Sequence, residues 1–86
     1  MTPRERIERS ERVKAILASP EWLQAWAAIR ATYMQVIESA EDDQQALEAR
    51  RMLRAANKAR EHLEALVADG KMATADISAR RSLLRI

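Results

Sequence analysis

The chain has no cysteine, no phenylalanine, one glycine and two prolines among its 86 residues. Without cysteine it can form no disulfide and no thiolate metal site, and thiol catalysis is excluded. The scarcity of glycine and proline leaves few positions that would interrupt a helix. A chain of this size also buries only about 60–65% of its extended surface, so its core is marginal. Because small helical chains without cysteine often gain the missing burial by oligomerising, we expect self-association.

The sequence also lacks a long apolar run. Its longest uncharged stretch covers residues 22–29, far short of the roughly 20 residues that span a bilayer. Residues 1–6 lead into a charged segment rather than into the apolar core of a signal peptide. These observations predict no membrane association and a location in the cytoplasm, or in a particle assembled there.

Ser19-Pro20-Glu21 is the clearest helix boundary in the chain. Serine is a preferred N-cap, proline is favoured at the first helical position, and an acidic residue in the first turn interacts well with the helix dipole. Proline also disfavours helical geometry at the residue before it. We therefore predict one helix over residues 4–18 and a second from Pro20 to about Ser39.

A third helix is predicted over residues 43–69. One unbroken helix over 20–69 is the alternative, but Asp42 and Gln45 have the spacing of a capping box, which favours a turn at 40–43. Gly70 is expected to end the third helix as a left-handed cap. The tail, residues 71–86, is expected to hold a short fourth helix that Thr74 caps.

Two apolar stripes with alternating steps of four and three residues predict that the second and third helices face each other. The first stripe is bulky and the second is largely alanine, a combination that lets two helices interlock. We predict a single all-α domain over 1–86, an antiparallel hairpin of helices 20–39 and 43–69 with helix 4–18 packed across one end, completed by oligomerisation. The stripes are Trp22, Trp26, Ile29, Tyr33, Val36, Ala40 and Ala49, Met52, Ala56, Ala59, Leu63, Leu66.

The net charge is only +2, but the charges are unevenly distributed. Residues 38–48 carry five acids and no base, whereas residues 50–60 carry five bases and no acid. Arg50, Arg54 and Lys58 fall on one helical ridge that could follow phosphates, although a solvated outer face explains the same pattern. The candidate nucleic-acid contacts are Arg50, Arg54, Lys58, Arg80, Arg81 and Arg85, and the candidate protein-partner contacts are Trp22, Leu83 and Leu84.

No constellation of residues indicates catalysis or metal binding. The single histidine, His62, has no second histidine or glutamate at metal-ligand spacing, and the acids at 38–43 lack the pattern of a calcium loop. No serine stands in a recognisable arrangement with His62. We therefore expect no enzyme activity, no catalytic or cofactor-binding residue, no metal and no cofactor.

The segment from Ala15 to Pro20, followed by Trp26-Ala27-Ala28-Ile29-Arg30 and Tyr33, resembles small helical proteins of tailed bacteriophages and prophages. The resemblance continues through residues 60–64 into Gly70-Lys71-Met72-Ala73 and covers about residues 12–73. It implies a virion-assembly or DNA-packaging accessory, found in the host cytoplasm or in the assembled virion. It carries no site residue over to this chain.

The primary hypothesis is therefore a non-enzymatic protein–protein interaction module, with itself or another protein as its partner. A small DNA- or RNA-binding protein of the packaging-subunit type is the alternative, and it would use the basic ridge and the basic tail. A small inhibitor of a host or defence protein fits the length of the chain but has no supporting residues.

Overall fold

The computed structural model describes residues 1–84, and this range forms three α-helices: α1 (Pro3–Ala18), α2 (Pro20–Ser39) and α3 (Asp43–Leu84). No strand occurs between residues 1 and 84. The all-α class predicted from the sequence is confirmed. None of the helices described is long and apolar enough to cross a membrane.

The starts of α2 and α3 follow the capping signals in the sequence. Ser19 has extended backbone, and its hydroxyl accepts a hydrogen bond from the Trp22 amide at 3.2 Å. Asp42 Oδ1 accepts from the Gln45 amide at 2.8 Å. Ala40 is extended and ends α2, so the two helices are separated by residues 40–42. A side-chain oxygen that binds an otherwise unpaired amide of the first turn stabilises each start.

Gly70 does not end a helix, and this prediction was wrong. It lies inside α3 without a positive φ, and the helix continues through the predicted tail to Leu84. Thr74 is not a cap either, because its hydroxyl donates to the Gly70 carbonyl at 3.0 Å, one turn back in the same helix. A glycine inside a helix costs about 1 kcal/mol relative to alanine, and strong helix formers on both sides together with packing against α1 outweigh that cost.

Two compact units make up the chain, and α3 runs through both. Unit 1 combines Met1–Leu17 with α3 from His62 onward, and unit 2 is Ala18–Glu61.

Unit 1 is packed through small side chains. Ser10, Gly70 and Ala73 are buried, together with Val13 of α1. A Cβ atom added to Gly70 would overlap the Ser10 side chain. The absence of a side chain at Gly70 therefore allows α1 and α3 to approach this closely. Residues of α1 contact Asp69 and Gly70 and line a groove with residues as far as Arg81, a region that the sequence had assigned to a helix end and a separate tail.

Candidate functional site

Unit 2 has almost no buried interior. No residue of α2 is buried, and Ala49 is the only buried residue that the structure describes between Ala18 and Glu61. Protein interiors normally enclose their large apolar side chains. Here six of these side chains are exposed instead: Leu23, Ile29, Met34, Val36, Leu47 and Met52.

An open groove of about 250 Å³ lies between α2 and α3 within unit 2. We call it the α2–α3 groove. Its walls are mostly apolar, with two polar side chains on the α3 side. Its lining residues are Tyr33, Val36, Gln45, Glu48, Ala49 and Met52. An apolar groove with a polar edge is typical of a surface that receives a protein segment.

The face that α3 turns toward α2 is rotated from the predicted stripe. Ala49 is buried and Ala56 is half-buried, but Met52 is 52% exposed and Ala59 is exposed. Instead of Met52 and Ala59, the residues that are half-buried on this face are Leu53 and Arg60. On α2, Ile29 and Val36 are exposed, while Trp22, Trp26, Tyr33 and Ile37 are half-buried.

Arg60 explains part of this rotation. Its guanidinium carbon Cζ lies 4.8 Å from the centre of the Trp26 ring, a cation–π arrangement. The stem of an arginine can cover apolar surface while its charged end stays near water. A pattern of apolar residues alone counts arginine as an outer-face residue, so it cannot detect this contact.

Trp22, predicted as a partner contact, is half-buried and stacks on Trp26. The two ring centres are 6.3 Å apart and the ring planes differ by 14°. The remaining predicted partner contacts, Leu83 and Leu84, lie in the last turn of α3 with exposures of 71% and 87%.

The predicted basic ridge lies on the exposed outer side of α3 in unit 2. Arg50, Arg54 and Lys58 are all exposed, and within residues 1–84 none of them forms an ion pair. Arg80 and Arg81 are exposed near the end of α3 in unit 1. Arg85 lies outside the described residues. The predicted basic residues that the structure describes therefore divide between two units.

Unit 1 contains an ion-pair cluster that the sequence reasoning missed. Arg6 donates two hydrogen bonds to the Asp69 carboxylate, one from Nε at 2.9 Å and one from a terminal guanidinium nitrogen at 2.7 Å. Arg9 donates a third hydrogen bond to the carboxylate at 3.1 Å. These hydrogen bonds from Arg6 and Arg9 hold the pKa of Asp69 below its ordinary value. Sixty-three residues separate Arg6 from Asp69, so no local pattern could have paired them.

A second groove, of about 290 Å³, lies in unit 1 between the start of α1 and the later turns of α3. Its lining includes two large apolar side chains, Ile7 and Ile77, and two basic ones, Arg4 and Arg81. Glu8 also lines it and offsets part of the positive charge.

Among the described residues, no group of three or more histidine, aspartate or glutamate side chains could hold a metal ion. His62, the single histidine, is exposed on α3.

The chain matches no protein-family model, no curated protein and no solved structure. The similarity to small bacteriophage proteins therefore remains a prediction from the sequence.

Proposed function

We propose that the chain is a non-enzymatic protein–protein interaction module. In this proposal, α2 and the first half of α3 form an antiparallel hairpin whose core is completed by association. The supporting observation is that α2 has no buried residue while the α2–α3 groove leaves Val36 and Met52 exposed. Apolar surface of this kind is stabilised when a partner removes it from water.

The biological setting that we propose is a bacteriophage or prophage accessory to virion assembly, acting in the host cytoplasm or in the virion. This part of the proposal rests on the sequence resemblance over residues 12–73. In this proposal, the accessory acts through the exposed α2–α3 groove.

A groove variant tests the proposal. Val36→Asp places a charge in the apolar wall of the groove, and it should abolish association while leaving the circular dichroism of the helices unchanged. Met72→Asp is the matched control, because Met72 is 63% exposed and lies in unit 1. Association is measured by sedimentation and by cross-linking of the tagged chain in the cells that produce it.

The proposal fails if the wild type associates neither with itself nor with any other protein. It also fails if Val36→Asp associates as strongly as the wild type.

Nucleic-acid binding is the second candidate function. The observation that favours it is the exposure of Arg50, Arg54 and Lys58 without an ion pair inside the range that the structure covers. Six phosphate contacts, from these three residues and from Arg80, Arg81 and Arg85, would give a log–log slope of affinity against salt near −5.

Duplex and single-stranded DNA titrations at two salt concentrations distinguish the two functions. An Arg50→Gln, Arg54→Gln, Lys58→Gln variant should reduce the slope by about three if the ridge contacts duplex phosphates. We expect negligible duplex binding at physiological salt, because the acids at 38–48 and 61–69 offset the bases.

A further inference from the structure

We propose that the α2–α3 groove is covered by a second copy of this chain. The two α3 helices would cross antiparallel, with the two-fold axis near Met52. This inference deepens the proposed function and rests on it, because it names the partner and the geometry of the interface.

Unit 2 exposes large apolar side chains that a second copy would cover. Val36 and Met52, which line the α2–α3 groove, are 39% and 52% exposed. Removing such side chains from water favours association.

Within unit 2, α3 leaves one of its faces uncovered. Five residues spaced alternately by three and four lie on one side of the helix, and all five are exposed. We call this face the α3 stripe: Gln45, Glu48, Met52, Ala55 and Ala59. Three of its members, Gln45, Glu48 and Met52, also line the α2–α3 groove. The two alanines allow a second helix to approach closely, and the flexible methionine adapts to a partner surface.

The charges on α3 favour a second copy as the partner and an antiparallel orientation. The acidic segment 38–48 is followed directly by the basic segment 50–60. Glu48 and Lys58 are both exposed, and over residues 1–84 neither has an ion-pair partner. Two antiparallel copies that cross at residue 52 bring Glu48 of each copy close to Lys58 of the other, while Arg50 and Arg54 lie on the side of α3 that faces away from the stripe. Parallel copies would set like charges against each other, which is destabilising.

An axis at Met52 fits the α3 stripe and the pair of Glu48 with Lys58. It places Gln45 opposite Ala59 of the second copy and Glu48 opposite residue 56, one position from Ala55 of the stripe. Glu48 then lies about two residues, or 3 Å along the helix, from Lys58 of the second copy. Because the interface is symmetric, every such pair occurs twice.

Single-cysteine variants test the contact directly, since the chain has no cysteine of its own. Under mild oxidation Met52→Cys should form a disulfide-linked dimer, because two copies of residue 52 meet at the axis. Met72→Cys is the matched control: it makes the same substitution at an exposed methionine outside unit 2, and it should stay unlinked.

Orientation is tested by Gln45→Cys and Ala59→Cys. An antiparallel dimer predicts efficient cross-linking in the mixture of the two variants and little in either alone. Efficient linking of Gln45→Cys to itself would overturn the antiparallel arrangement.

Charge reversal tests the pairing of Glu48 with Lys58. Each single change, Glu48→Lys or Lys58→Glu, should raise the dimer Kd about tenfold or more, because a repulsive contact occurs twice. The variant that carries both changes should recover most of the affinity. Lys71→Glu, an exposed reversal in unit 1, should leave the Kd unchanged.

Sedimentation separates this inference from the proposed function. A wild-type chain that remains at 9.8 kDa at every concentration overturns the second copy as the occupant of the groove. Such a monomer could still bind a different protein, and Val36→Asp could abolish that binding. In that case the proposed interaction module is supported and only the dimer is wrong. A dimer with the predicted cysteine and charge patterns supports both.

Discussion

At the scale of single residues, Gly70 determines how closely α1 approaches α3. Gly70 has no Cβ, and a Cβ at this position would overlap the side chain of Ser10. The Ser10 hydroxyl donates a hydrogen bond to the Ile7 carbonyl at 2.7 Å. Ser10 is 2% exposed and Ala73 is fully buried, so the surrounding packing has little room to adjust.

We predict that Gly70→Ala lowers the free energy of unfolding by about 1–3 kcal/mol through overpacking. At an ordinary helical position the same change stabilises by about 1 kcal/mol. Adding Ser10→Gly should restore part of the loss, because it removes the overlapping atoms. Urea unfolding of the four proteins at one concentration gives the coupling between the two positions. If the changes in unfolding free energy of the two single variants simply added in the double variant, the close contact between Gly70 and Ser10 would be contradicted.

Asp69 predicts a dependence of stability on pH. Because hydrogen bonds from Arg6 lower its pKa in the folded state, its contribution is fully present above the ordinary carboxyl pKa of about 4. The contribution is lost as the pH falls below that value toward the lowered pKa. We expect the Asp69→Asn variant to be less stable than the wild type at pH 7. At a pH near 2.5 the two proteins should be almost equally stable.

Thermal unfolding between pH 7 and pH 2.5 measures this difference. Glu38→Gln is the control, because Glu38 is exposed and no ion pair of the described chain includes it. It should follow the wild type across the range. A constant gap between Asp69→Asn and the wild type at every pH would show that the carboxylate has no such role.

At the scale of helices, the starts were predictable and one end was not. The side chains of Ser19 and Asp42 each accept a hydrogen bond from an amide three residues further along the chain. A short segment of sequence is therefore enough to predict where these two helices begin. Thr2 and Glu5 form a complete capping box that the same window shows, with hydrogen bonds of 3.1 and 3.3 Å, and the sequence reasoning missed it.

The continuation of α3 through Gly70 depends on α1, which is distant in sequence. Locally, glycine followed by lysine and a threonine suggests a helix end and a new cap. The contacts of Arg6 and Ser10 with this region make the helical conformation the favourable one. A contact that is distant in sequence also rotates the face of α3 that packs on α2. Ala49 and Ala56 of the predicted stripe lie on this face, but Arg60 joins it because it packs on Trp26.

We predict that residues 74–82 stabilise unit 1. A chain that stops after Ala73 loses Thr74, Ile77 and Arg81, which line the second groove together with α1. It should show faster amide exchange in α1 and a lower melting temperature than the full chain. A chain that stops after Ser82 keeps these residues and should match the full chain. Equal protection of α1 in both truncated chains would contradict the packing of α1 against the late turns of α3.

At the scale of the whole molecule, two kinds of packing occur along one long helix. Unit 1 encloses small side chains and an arginine–aspartate cluster. Unit 2 has one buried alanine and a groove edged by exposed apolar residues. Chains of this length are only marginally stable even with a complete core. We therefore expect that association supplies the burial that unit 2 lacks.

Sedimentation equilibrium between about 1 and 100 μM, with the melting temperature recorded at each concentration, tests this expectation most directly. We expect a mass that rises from 9.8 kDa toward twice that value, and a melting temperature that rises with it, since association stabilises the folded state by mass action. A mass of 9.8 kDa and a constant melting temperature over the whole range would contradict it.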